Sequence, residues 1–360
     1  MRINYVMWTT GPSGGHRTLF ELTNRLSARG HDVSITALYP DRRNWFPVKV
    51  PIRYVYEMST RMERAVRRGI LAMRRRGLLG FRLDDVRTLS EAIPPCDVNV
   101  ASFCLTAFVV HRSGRGRMRV YHIQNLCNLS DPYERKMGQE SYFLPLSKIV
   151  NSTRVRRGLE QLGAPGPFTT IFPGVDLNTF KPTMVKARRP TVICYGSTQR
   201  WKGFAEALRA VEIARGRGID IDFVVFGPRR PFEEGDYRFV ERPTDPELVD
   251  LYSSSHVLLN TSWAESFPTT AQEAMACGTT VVALPAGGED LLRDGVNALL
   301  VQPHSPECAA DALVRLFENP DQRERLRDAA LQTISAFGWE RVVDRFEAFF
   351  QGRGVESPFE

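Results

Sequence analysis

Residues 3–38 read INYVMWTTGPSGGHRTLFELTNRLSARGHDVSITAL, and a change of hydrophobic period inside this stretch decides the fold. Ile3 to Trp8 is an apolar run of strand length, Gly11, Gly14 and Gly15 make a turn, and Leu19, Leu22 and Leu26 then recur at helical spacing up to Gly30. Val33 to Leu38 begins a second strand. Strand, glycine-rich turn, helix and strand form a βαβ unit, the repeat of a parallel sheet with helices on both faces. Working outward, Val98 to Val110, Arg119 to Ile123 and Lys148 to Asn151 read as further short buried strands. The first half is therefore expected to be a doubly wound α/β domain.

Between Gly163 and Pro190 neither period persists, and Pro165, Pro167, Pro173, Pro182 and Pro190 cluster, which places an interdomain connection there. A second alternation follows. Thr191 to Tyr195 and Ile221 to Phe226 read as strands around a helix from Phe204 to Arg215, and Val257 to Asn260, Val281 to Leu284 and Leu299 to Val301 continue the pattern. The last periodic segment, Trp339 to Phe350, is a helix with Val342, Val343, Phe346, Phe349 and Phe350 apolar. The expected domains are 1–170 and 171–338, each large enough for its own core, followed by a terminal helix and tail at 339–360.

The chain has 360 residues and a net charge of +7, divided unevenly: residues 1–180 hold 27 basic and 14 acidic side chains, residues 181–360 hold 21 and 27. No apolar run approaches the roughly 18 residues of a membrane span, and Ile3 to Trp8 is too short for a signal peptide, so a cytoplasmic location is expected. The six cysteines (Cys96, Cys104, Cys127, Cys194, Cys277 and Cys308) show no CxxC spacing and sit mostly in apolar segments. They read as reduced core thiols, with neither a zinc site nor a disulfide framework.

Residues 263–278, WAESFPTTAQEAMACG, follow a strand and open a helix. In an open α/β sheet a ligand lies beyond the carboxyl ends of the strands, and the unpaired N–H groups of a helix's first turn favour an anion such as phosphate. Glu265, in the loop, and Glu273, in the helix's first turn, can both accept hydrogen bonds from hydroxyls. Thr270-Ala-Gln-Glu273 also fits a capping box, which would occupy Glu273 with its own backbone.

Glu265 and Glu273 together reproduce an E-x7-E spacing that resembles glycosyltransferase family 4, the group 1 retaining glycosyltransferases. Four further segments are similar to that family in the same order: Gly14-Gly15-His16-Arg17 with Arg29 to Val33, Phe172 to Asp176 through Pro182, Lys202-Gly203 after a strand, and Gly287-Gly288-Glu289 to Asp294-Gly295. The terminal helix near Trp339 is similar too. The resemblance implies the GT-B fold, two Rossmann-like domains facing across a cleft, with the terminal helix crossing back to the first domain. It also implies transfer of a sugar from a nucleotide-sugar donor to a hydroxyl of a glycan or lipid-linked acceptor, with retention and without a metal or other cofactor.

Carried over by position, Glu265 would contact the transferred sugar, Glu273 the nucleotide ribose, and the backbone of Phe267, Pro268, Thr269 and Thr270 the sugar and diphosphate. Pro268 stands where the family most often has glycine and removes one N–H. Lys202 matches the lysine that neutralises the diphosphate; its usual arginine partner is replaced by Ser197, and Arg200 is the nearest substitute. Gly14 and Gly15 would let backbone approach the diphosphate, although a tight turn alone explains two glycines. His122, ending a strand, matches a histidine beside the reacting sugar, although a strand histidine is also an ordinary core residue. His31 and His111 read as structural, in a turn and at a strand end.

Asp220-Ile-Asp222 is formally a D-x-D metal motif, but alternation along the following strand turns both carboxylates to solvent. Arg61 to Arg76 is a basic amphipathic stretch, read either as a solvated helix or as contact with an anionic membrane surface at the inner face of the plasma membrane. Nucleic acid is not expected, because no binding motif accompanies the charge. Two rivals stand beside sugar transfer: other GT-B chemistry, phosphorolysis or nucleotide-sugar epimerisation, and a non-catalytic module docking on membranes or glycans.

Overall fold

A computed structural model describes residues 1–41, 45–56, 83–127, 132–232 and 234–355. The basic stretch Arg61 to Arg76 lies outside the described residues. Two compact units are present, one formed by Met1–Phe172 with the terminal helix from Val343 onward, the other by Pro173–Val342. Both are parallel α/β units. Among the described residues no helix is long and apolar enough to cross a membrane.

The first unit holds β1 (Arg2–Thr9), β2 (Asp32–Tyr39), β3 (Ile52–Tyr54), β4 (Val98–Ala101), β5 (Met118–Ile123), β6 (Ser147–Val150) and β7 (Phe168–Thr170) in the order β3-β2-β1-β4-β5-β6-β7. Every strand pair is parallel. Ile3, Tyr5, Val6 and Met7 of β1 are all buried, because helices cover both faces of the sheet and leave no solvent side for alternation. Asn4 is the polar exception. It donates to Asn99 Oδ1 at 3.1 Å and accepts from the Thr36 hydroxyl at 2.8 Å and the Ser34 hydroxyl at 3.2 Å, so a satisfied polar ladder crosses β2, β1 and β4.

The expected strand from Val98 to Val110 divides in two. β4 stops at Ala101, and Cys104–Ser113 is a helix that carries His111, which is therefore not at a strand end. A continuous apolar run has no period to separate a buried strand from a buried helix, and the caps decide. Thr106 Oγ1 accepts from the N–H groups of Ser102 at 3.0 Å and Phe103 at 2.9 Å, and Gly114 closes the helix in the left-handed region.

The second unit holds β8 (Thr191–Tyr195), β9 (Asp222–Gly227), β10 (Arg238–Glu241), β11 (Val257–Asn260), β12 (Thr280–Ala283) and β13 (Leu299–Leu300), ordered β10-β9-β8-β11-β12-β13 and again parallel. Phe204, Phe223 and Tyr237 pack ring on ring in its core. In each sheet the strand order reverses once, between β1 and β4 and between β8 and β11. Loops leaving the carboxyl ends of strands on either side of such a switch point diverge and open a crevice.

The terminal helix Trp339–Phe350 begins against the second unit, where Trp339 packs on Gly174; a Cβ there would sit 2.5 Å from the indole. Its later turns bind the first unit. Arg29 Nη1 lies 2.5 Å from Asp344 and 3.0 Å from Glu347, and His31 Nε2 lies 2.8 Å from Glu347.

Candidate active site

The loops after β8 and β11, which flank the second switch point, are fastened together by two hydrogen bonds. The Trp263 N–H donates to the Trp201 carbonyl at 2.8 Å, and the Thr261 hydroxyl donates to the Gly203 carbonyl at 2.8 Å. Gly203 is left-handed, and a Cβ on it would fall 1.9 Å from the Thr261 carbonyl oxygen, so glycine is required for the loops to meet. Gly287 plays the same part on the other side, with a Cβ 1.9 Å from the Glu265 carbonyl oxygen.

This arrangement brings Lys202 and Glu265, distant in sequence, to 2.5 Å between Nζ and Oε1. Their side chains are 18% and 16% exposed, enough burial for the pair to feel little solvent screening. The ammonium also lies 4.4 Å from the centre of the Trp201 ring and 5.7 Å from that of Tyr195. Burial, and then the charge of Glu265, push the Tyr195 hydroxyl above its ordinary value. Chemically, the cluster offers a cation able to meet an anion and a carboxylate able to accept from hydroxyls.

Two residues that sequence reasoning passed over, Glu206 and His304, join Trp263 in holding the Glu265 loop. Glu206 Oε1 accepts from the Trp263 indole N–H at 2.8 Å and lies 3.0 Å from His304 Nδ1, while the Trp263 and His304 rings meet edge to face at 4.7 Å. His304 adopts a φ of 58°, unusual for a residue with a side chain. Nothing local joins Glu206, Trp263 and His304; only the adjacency of Trp263 to the Glu265 motif hinted at it.

Helix Thr269–Ala276 starts directly after Pro268, which occupies the N-cap and has no N–H of its own. The expected capping box does not form. Thr270 is the second helical residue and Glu273 the fifth, beyond the first turn, because Phe267, buried against Phe337, and Pro268 set the helix start one residue pair earlier. Glu273 Oε2 instead accepts from the Tyr252 hydroxyl at 3.5 Å. The first turn carries no acidic residue, so the amides of Thr270 and Ala271 remain attractive to an anion. Arg200 is exposed in the short 3₁₀ turn Arg200–Lys202, and Ser197, buried, accepts from the Gln199 N–H at 3.2 Å.

In the first unit Gly14 and Gly15 are not a free turn but the first two residues of helix Gly14–Ala28, capped by the Ser13 hydroxyl accepting from His16 at 3.1 Å. That first turn is again without acid residues, and a Cβ on Gly15 would come 3.3 Å from Gln124 Oε1, just past β5. His122, the penultimate residue of β5, is 2% exposed and meets Phe346 edge to face at 5.2 Å. Burial lowers its imidazole to about 4, so the ring is neutral at neutral pH. Its Nδ1 has no hydrogen-bond partner among the described residues.

Asp220 of the D-x-D sequence is held by Arg189 through contacts of 2.5 and 3.0 Å, while the Asp222 backbone joins β9. Among the described residues no cluster of three or more His, Cys, Asp or Glu side chains is arranged to hold a metal ion.

Residues 189–319 match the family described as Glycosyl transferases group 1. The D-inositol 3-phosphate glycosyltransferase 1 of Catenulispora acidiphila is 32% identical over 228 residues, 53% of this chain and 54% of that protein. The D-inositol 3-phosphate glycosyltransferase of Thermomonospora curvata is 29% identical over 265 residues, 62% and 61% of the two chains. The chain thus spans about half the length of the curated relatives it matches. Sucrose-phosphate synthase from Thermosynechococcus elongatus shares the fold with a TM-score of 0.76 at 18% identity over 98% of both chains. Anabaena HepE in complex with UDP-glucose gives 0.76 at 17% identity over 98% of this chain and 100% of that one. Residues 189–319, within the second unit, are thus similar to the group 1 glycosyltransferases, and the two parallel α/β units share the GT-B fold of the solved structures.

Proposed function

We propose that the protein transfers a sugar from a nucleoside-diphosphate sugar to an acceptor hydroxyl, with retention at the anomeric carbon and without a metal ion. The Lys202–Glu265 contact at the switch point of the second sheet carries this reading, because it sets a phosphate-binding cation beside a hydroxyl-binding carboxylate. The donor's diphosphate would displace Glu265 from Lys202 and also meet the amides of Thr270 and Ala271; Arg200, exposed two residues away, is free to swing to the same charge. Glu265 would then orient the sugar, and Glu273 the ribose.

In the chemical step the bond from the anomeric carbon to the diphosphate oxygen breaks, a bond to the acceptor oxygen forms on the same face, and the acceptor proton passes to the departing phosphate. Gly14, Gly15 and neutral His122 serve as positioning groups in the first unit, toward phosphate and sugar. The acceptor is expected to be anionic, consistent with the excess of base in residues 1–180. Since relatives are named for D-inositol 3-phosphate, a phosphorylated polyol is the first acceptor to try, ahead of glycan and lipid-linked hydroxyls, and UDP-glucose, bound by HepE, is the first donor.

Thermal stabilisation by a panel of nucleoside diphosphates and their sugars identifies the donor, and analysis of labelled products then separates transfer from sugar-phosphate release or epimerisation. Chelation of divalent ions should leave the rate unchanged. If Glu265→Gln and Lys202→Ala alter neither donor binding nor turnover, the site assignment fails.

A further inference from the structure

Two cysteines that no spacing motif connects come together at the carboxyl edge of the first sheet. Cys104 is the first residue of helix Cys104–Ser113, after β4, and is 2% exposed; Cys127 follows the end of β5 and is partly exposed. Their sulfurs are 2.7 Å apart, closer than two unbonded sulfurs ordinarily approach though longer than the roughly 2.05 Å of a covalent bond, so only a small shift separates the two thiols from bonding distance.

The surroundings hold them there from two sides. The Cys127 N–H donates to the Tyr142 hydroxyl at 2.5 Å, and Tyr142 stacks on Tyr121 of β5. Gly138, on helix Pro132–Glu140, lies against both: a Cβ there would sit 2.5 Å from Cys127 Sγ and 3.6 Å from Cys104 Sγ, so the absence of a side chain makes the space for the sulfurs. All six cysteines are free thiols, as expected; that two of them touch is not legible in the sequence, because the contact is made by tertiary packing over 23 positions.

We propose that Cys104 and Cys127 form a reversible disulfide, a modification site driven by a small-molecule disulfide as oxidant. The Cys127 thiolate, the more exposed sulfur, attacks the small disulfide; one small thiol leaves and a mixed disulfide remains on Cys127. Cys104 Sγ then attacks Cys127 Sγ, its proton passing to the second departing small thiolate. The protein loses two protons and two electrons, and the oxidant is reduced to two thiols. Cys104, hydrogen-bonded to Cys127 and buried, is held well above the usual thiol range, which makes it the resolving rather than the initiating sulfur. The bond ties the start of helix Cys104–Ser113 to the segment that carries Gln124, the neighbour of Gly15, and so fixes the loop beside His122. The proposal stands independently of glycosyl transfer.

The test is oxidation of the full chain with glutathione disulfide, followed by differential alkylation and peptide mapping. The expected result is a single cross-linked pair containing Cys104 and Cys127, loss of two hydrogens in mass, a rise in Tm of several degrees, and full reversal by a dithiol reductant. Cys104→Ser should stop the reaction at a lasting glutathione adduct on Cys127, and Gly138→Ala should slow cross-linking about tenfold by displacing Cys127. A lasting adduct on Cys127 in the unsubstituted protein, cross-linking of a different pair, or six alkylatable thiols after oxidation would each overturn the proposal. These outcomes are read on the unsubstituted chain and do not depend on how the variants fold.

Discussion

Replacing Lys202 by Met and Glu265 by Gln, singly and together, measures whether their contact is a working part of the fold. At 2.5 Å, with less than a fifth of either side chain exposed, the pair lies between exposed ion pairs, at about 0–1 kcal/mol, and buried ones, where deleting one partner costs about 3–5 kcal/mol. Each single substitution should therefore cost about 2–3 kcal/mol, and the double substitution clearly less than their sum, a coupling of about 2 kcal/mol. Urea unfolding followed by tryptophan fluorescence is a suitable assay, because Trp201 and Trp263 flank the pair. A second readout separates stability from ligand chemistry. Pyrophosphate affinity should fall at least tenfold in Lys202→Met, an effect of about 1.4 kcal/mol, but should hold or rise in Glu265→Gln, where no carboxylate competes for the ammonium. Strict additivity, within about 0.5 kcal/mol, together with equal pyrophosphate affinity in all four proteins, would refute the reasoning.

His122 gives a pH dependence with a definite sign. Its folded value of about 4 lies below the ordinary 6.5, so the unfolded chain binds the extra proton between these limits; stability from this group is complete above about pH 6.5 and is lost as pH falls toward 4, by about 3 kcal/mol in all. Urea midpoints between pH 4 and 7 should fall less steeply for His122→Phe than for the parent, and parallel curves would reject burial as the cause. Gly203→Ala and Gly287→Ala combine left-handed backbone with a clash against a carbonyl and should each cost about 3 kcal/mol or more, whereas Gly295→Ala, left-handed but open, should cost about 1–2 kcal/mol; thermal unfolding ranks them. Glu206→Ala strands the Trp263 indole N–H and should cost about 1–2 kcal/mol with a change in near-ultraviolet dichroism, while Glu206→Gln, which keeps an acceptor oxygen, should retain most of both. Identical losses in the two variants would show that the charge, rather than the hydrogen bond to Trp263, holds the loop.

Elements with a clear period were legible in the chain itself: β8, β11 and the helix Trp339–Phe350 fall where the pattern of apolar residues puts them. Less legible were β3, β7 and β10, edge strands of three or four residues, too short to display alternation and formed because a neighbouring strand offers its free edge. The continuous apolar run beginning at Val98 hid a strand and a helix in one composition. The Thr270–Glu273 pattern misled for a related reason: a capping box is a local preference, and the packing of Phe267 together with the fixed φ of Pro268 overrode it.

By itself the sequence determined the tandem α/β plan and the family resemblance and singled out Lys202 and Glu265 as candidates, because each rests on residues near one another in the chain: a βαβ period, an E-x7-E spacing, a Lys-Gly after a strand. Only the tertiary structure decided which of these groups meet. The order of strands set the switch point that the two loops flank, and the close approach of Gly203 to Thr261 brings Lys202 against Glu265. Sheet packing likewise made Glu206 the anchor of Trp263 and His304, and set Cys104 against Cys127 in the space left by Gly138. Such contacts depend on distance through space, and sequence separation carries no record of it.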